Sequence, residues 1–90
     1  MLAPLAKGAI GDAFMQLDQP EEALSYYEEA ASKSENNFVA PRFLLKAAKV
    51  AISLDENDKA VSFLNRIEED YSESAEAGEV PLLLGVAGAE

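Results

Sequence analysis

Residues 4–37 read PLAKGAIGDAFMQLDQPEEALSYYEEAASKSENN. The first half carries Leu5, Ile10, Phe14 and Leu17 at helical spacing, with small Gly8, Ala9, Gly11 and Ala13 between them. That pattern predicts a helix from about Ala3 to Leu17. Pro4 is tolerated there because first-turn amides have no partner within the helix. A glycine inside a helix costs about 1 kcal/mol against alanine. Gly11 therefore makes sense where another helix approaches closely. Asp18-Gln19 ends this helix and Pro20 opens the next, with Glu21 and Glu22 at its positive end. The second helix, about Pro20 to Lys33, puts Ala23, Leu24, Tyr27, Ala30 and Ala31 on one face and glutamates mostly on the other. Tyr27 belongs in the core and Tyr26 should be half exposed. Ser34 to Asn37 is a polar break.

The remainder repeats the scheme. Setting Ala60 against Ala23 gives a spacing of 37 residues. Leu44, Ala47, Ala48, Ala51, Leu64 and Ile67 then fall on the positions of the first unit. The third helix should run from Ala40 or Pro41 to Leu54 and the fourth from about Asp58 to Tyr71. Asn57 or Asp55 is the expected N-cap between them. Ser72-Glu73-Ser74 breaks the pattern. Ser74 to about Ala89 reads as a fifth, capping helix, with Pro81 either starting a shorter helix or kinking a longer one.

The joint spacing of Ile10-Gly11, Phe14, Ala23, Tyr27 and Ala30 resembles the tetratricopeptide repeat, a helix–turn–helix unit of 34 residues. Lys7 stands where that family has a large aromatic, and Glu35 stands at its usual proline. The resemblance implies an all-α chain: one domain, 1–90, with repeats at about 4–37 and 41–74 and a capping helix at about 74–89. It also implies a binding module that takes a protein or peptide on its concave face. The alternative is a structural spacer or self-association unit within a longer helical solenoid. The chain enters a helical pattern at once, which reads as a domain excised from a longer protein. Leu2 to Ala13, Asn36-Asn37-Phe38, Pro41 to Lys46 and Ser74 to Ala77 also resemble the C-terminal repeats of bacterial YfgM-like envelope proteins. That narrower resemblance implies a periplasmic setting, tethered by an N-terminal membrane anchor.

Composition narrows the chemistry. The chain has 90 residues, no Cys, no His, and a net charge of −10 from 17 acidic and 7 basic residues. It therefore has no Cys/His or Ser/His nucleophile pair, and no enzyme activity is expected. The charge should repel nucleic acid and anionic membranes. No apolar run is long enough to insert in a membrane. Asp55-Glu56-Asn57-Asp58 begins like a calcium loop. It fails at Lys59, at Ala60 where glycine is needed, and at Arg66 where the bidentate Glu belongs. No metal or cofactor is expected.

Arg42, Lys46 and Lys49 are three of the seven basic residues and lie at i, i+4 and i+7. The stripe should be exposed. The resemblance puts it in the groove, ready for an acidic peptide, with Leu5, Asp12, Met15, Leu45 and Ile52 shaping the walls. Leu82, Leu83, Leu84 and Val86, with Val80, make the last helix apolar nearly all round. One face would cover the fourth helix near Leu64 and Ile67. The other would join a second copy in a two-fold homodimer or dock a missing neighbour.

Overall fold

The computed structural model describes residues 3–34 and 36–88; Glu35 and the expected end of the capping helix at Ala89 lie outside them. The described residues form α1 (Pro4–Gln16), α2 (Pro20–Lys33), α3 (Val39–Ser53), α4 (Asn57–Asp70), a 3-10 helix (Ala75–Glu79) and α5 (Val80–Val86), with no strand among them. Each of α1 to α4 packs mainly on its neighbour in sequence, and α1 also reaches α3. The Cα envelope is 36 × 27 × 16 Å. A thickness of 16 Å holds two helix layers at the usual 8–10 Å separation.

The α1–α2 and α3–α4 turns are the same structure. Gln19 N–H donates to Phe14 C=O (2.9 Å) and Asp18 N–H to Met15 C=O (3.0 Å). In the second unit Glu56 N–H donates to Ala51 C=O (2.8 Å) and Asp55 N–H to Ile52 C=O (3.0 Å). This is the Schellman closure, which needs a left-handed residue after the helix. Asp18 and Asp55 fill that place, at φ 58° and 60°. Asp is one of the few side chains that accept it. Corresponding residues are 37 positions apart, the spacing read from Ala23 and Ala60.

Asp55 is thus bound to the end of α3, and Asn57 is already the first residue of α4. The capping position falls on Glu56, whose side chain makes no cap bond. Neither expected N-cap is used. At the start of α3, Asn36 Oδ1 accepts the amides of Phe38 (2.7 Å) and Val39 (3.1 Å). Those bonds satisfy orphan donors and let the helix begin at Val39, a residue earlier than expected.

The core is built from small residues. Nine of the eighteen buried apolar residues among those described are alanines. Leu44, Leu64, Ile67 and Val80 are its largest fully buried apolar side chains apart from Pro41. Alanine lets helices approach closely and leaves little room for added volume. Tyr27 is buried at 3% exposure and Tyr26 is half-buried, stacked on Phe14 at 5.5 Å between centroids. Lys7 holds the family's aromatic position: its amine pairs with Glu29 of α2 while its side chain stays 14% exposed. The aliphatic stem thus takes some of the missing ring's place.

The capping helix takes the shorter of the two forms expected at Pro81, and it does not begin at Ser74. In place of one helix from Ser74, Ser74 Oγ accepts Ala77 N–H (3.2 Å) and starts a 3-10 helix. Pro81 then lies in the first turn of a short α5, which ends before Gly88 at φ +80°. Pro81 lacks the N–H that a continuous helix would need, so a helix starting there is the cheaper arrangement. Val80 is fully buried, and Leu83 and Leu84 pack against the core. Only Leu82 (73% exposed) and Val86 (59%) remain outside, so α5 is apolar on one inner face with a small outer patch.

Candidate functional site

The face shared by α1 and α3 carries most of the residues singled out in the sequence. Its centre is Asp12. Tyr27 Oη donates to Asp12 Oδ1, and Lys46 Nζ lies 2.9 Å from the same oxygen. Lys46 Nζ also sits 5.7 Å from the centroids of both Tyr27 and Phe43, within cation–π range. The two rings stack at 6.1 Å. One cation therefore joins α1, α2 and α3.

The electrostatics follow from this contact. Burial pushes the Asp12 carboxyl up, but the Tyr27 hydroxyl and Lys46 outweigh it and leave Asp12 below the ordinary carboxylate value. Tyr27 moves the other way: burial, then the hydrogen bond to Asp12 and its charge, raise its pKa. Tyr27 stays protonated as the donor across the ordinary pH range. Elsewhere, Lys7 holds Glu29 below its ordinary value.

The basic stripe does not act as one unit. Lys46 is half-buried and engaged with Asp12. Lys49 is exposed and pairs with Glu79 of the 3-10 helix at 3.3 Å. Arg42 is exposed and lines an open hollow of about 520 Å³ with Phe38, Asp70, Tyr71, Glu73 and Glu76. The expectation of a uniformly exposed stripe holds for Arg42 and Lys49 and fails for Lys46. Around the Asp12–Lys46 pair, Leu5 (55% exposed) and Met15 (41%) are open to solvent and Ile52 is half-buried. Leu45 is only 7% exposed and belongs to the core rather than to a wall.

The model of the tetratricopeptide repeat matches residues 14–80. The chain belongs to the tetratricopeptide repeat family. Comparison with curated proteins and with solved structures found no match. Tetratricopeptide repeat domains are generally non-catalytic protein-interaction modules. No helix among the described residues is long and apolar enough to cross a membrane. No cluster of acidic side chains among them is arranged to hold a metal ion.

Besides the Asp12–Lys46 pair, three contacts of this site do not follow from the sequence pattern alone. The Tyr27–Asp12 bond was detectable in principle, because the repeat register puts both residues at the α1–α2 contact. Glu79 as partner of Lys49 depends on the path of the 3-10 helix, which no local pattern announces. The Phe43 ring against Gly8 depends on how the second unit stacks on the first.

Proposed function

We propose that the protein binds an acidic peptide or partner segment across the α1–α3 face, the concave side of the repeat pair. The observation that carries this reading is the half-exposed Asp12–Lys46 pair, with side chains 48% and 40% exposed. Such pairs stabilise a fold by only about 0–1 kcal/mol. A peptide carboxylate can therefore share Lys46 without a large loss elsewhere. Lys49, held only by exposed Glu79, offers a second cation, and Arg42 a third at the edge. Leu5, Met15 and Ile52 supply apolar contact. Recognition would join charge with a modest hydrophobic area, so affinity should fall as salt rises. The periplasmic, membrane-tethered setting belongs to this proposal and rests on the YfgM-like segments alone.

The test is a binding titration with Glu-rich and Lys-rich peptides against wild type and an Arg42→Gln, Lys46→Met, Lys49→Gln triple variant. Met keeps the stem of Lys46 over the rings and avoids a second carboxylate beside Asp12. The Glu-rich peptide should bind wild type, and the variant should lose that binding while remaining folded. Equal binding of both peptides, or unchanged binding to the variant, would overturn the reading. The spacer alternative is supported by a different observation: α5 leaves Leu82 and Val86 uncovered.

A further inference from the structure

The α1–α3 face holds two ion pairs between elements, and they are built differently. Lys49 meets Glu79 at 3.3 Å, with both side chains about half exposed. Lys46 meets Asp12 at 2.9 Å, and the same carboxylate oxygen accepts the Tyr27 hydroxyl. Tyr27 belongs to the core. Asp12 is therefore anchored through a buried side chain. Lys46 is the movable partner, a point charge on a flexible stem.

The two members differ in what they lose on parting. Asp12 keeps the Tyr27 bond, and its half-exposed side chain reaches water on the open side. No carboxylate is left buried without a partner. Lys46 gives up Asp12 and the faces of Tyr27 and Phe43, each centred 5.7 Å from Nζ. An ammonium that swings out is strongly rehydrated. While Lys46 is docked, the Asp12 charge stands beside it. A peptide carboxylate approaching Lys46 then meets a like charge well inside the screening length of about 8 Å.

We propose that Asp12 is a built-in competitor for the peptide carboxylate, an autoinhibitory contact that an acidic partner breaks by drawing Lys46 off Asp12 and off the two rings. The inference rests on the acidic-peptide reading of this face. It gives Asp12 the opposite sign from a positioning residue. A residue that holds Lys46 ready for the peptide weakens binding when it is removed, and a competitor strengthens it. Tyr27 makes the contact a two-state device, because it holds the carboxylate in place whether Lys46 is docked or drawn away.

The experiment titrates the full chain with a Glu-rich peptide. Asp12→Asn removes the charge and keeps an oxygen that accepts the Tyr27 hydroxyl, so the fold is retained. It should bind the peptide about tenfold more tightly than wild type. Glu69→Gln, the same loss of charge at an exposed position on α4, should stay within about twofold of wild type because solvent screens it. In a Lys46→Met background the gain from Asp12→Asn should vanish. Proton resonances of the Lys46 side chain give a readout within wild type. In the free chain they lie over two ring faces and are shifted upfield, and saturating peptide should return them toward the positions of a free lysine. Four results would each overturn the proposal and leave the acidic-peptide reading standing: equal or weaker binding by Asp12→Asn, an equal gain from Glu69→Gln, a gain that survives Lys46→Met, or Lys46 protons that stay ring-shifted at saturation. If neither wild type nor Asp12→Asn binds the peptide, that reading falls and the competitor falls with it.

Discussion

Gly8 and Gly11 are the residues that α1 cannot change. Gly11 lies under the Tyr27 ring, and a Cβ at Gly8 would collide with the Phe43 ring. Gly11→Leu should therefore force α2 off α1 and cost about 1–3 kcal/mol or more. Thermal melts of this variant beside wild type check it, and an unchanged midpoint would remove the close contact from the account. Asp12 gives a second prediction at this scale. Its folded pKa is depressed, so its contribution to stability is present above the unfolded value of about 4 and is lost as pH falls through the lower folded value. Denaturant melts between neutral pH and about pH 3 should show an acid loss of stability that is smaller in Asp12→Asn. An identical pH profile for the two proteins would mean that Tyr27 and Lys46 do not stabilise the charged form. The sequence showed Gly11 plainly, because a glycine inside a helical pattern is costly unless another helix approaches closely, and the repeat resemblance implies such a contact at that position. It did not show that Lys46 is bound to Asp12, since spacing along one helix says nothing about a partner across the layer.

At the scale of elements, the turns repeat more faithfully than the helices. Asp18 and Asp55 share φ near 60° and the same pair of backbone bonds, although the helices they close differ in their signature residues. Glycine takes the left-handed region without a Cβ penalty. Asp18→Gly and Asp55→Gly should each stabilise the chain by about 0.5–1 kcal/mol, measured by denaturant midpoint. A loss of stability in either would show that the carboxylate matters more than the backbone strain. Four of the helices could be read from the sequence because their apolar residues recur every three or four positions and their ends carry Pro20, Asp18 or Asp55. The fifth could be read only in part, since Pro81 left both a shorter helix and a kinked longer one open. Its apolar residues fit a helix throughout, and only backbone chemistry at Ser74, Pro81 and Gly88 divides it into a 3-10 helix and a short α5. That division turns Leu83 and Leu84 inward and shrinks the outer patch to Leu82 and Val86.

For the whole molecule, an alanine-rich core and an acidic surface describe a thin two-layer stack whose charged groups on the α1–α3 face bridge helices. Lys46 ties three helices together, so reversing its charge would set two carboxylates side by side at Asp12. Lys46→Glu should destabilise the chain measurably, whereas Lys49→Glu, at an exposed pair, should change stability by under about 0.5 kcal/mol. A calorimetric comparison of the two variants checks that asymmetry. The central claim is that the α1–α3 face binds a partner. Its most direct measurement is an amide-shift map of the labelled chain titrated with a Glu-rich peptide at low and high salt. Saturable shifts are expected at Asp12, Met15, Lys46, Lys49 and Ile52, weakening as salt rises. Shifts confined to α2 and α4, or none at any salt concentration, would contradict it.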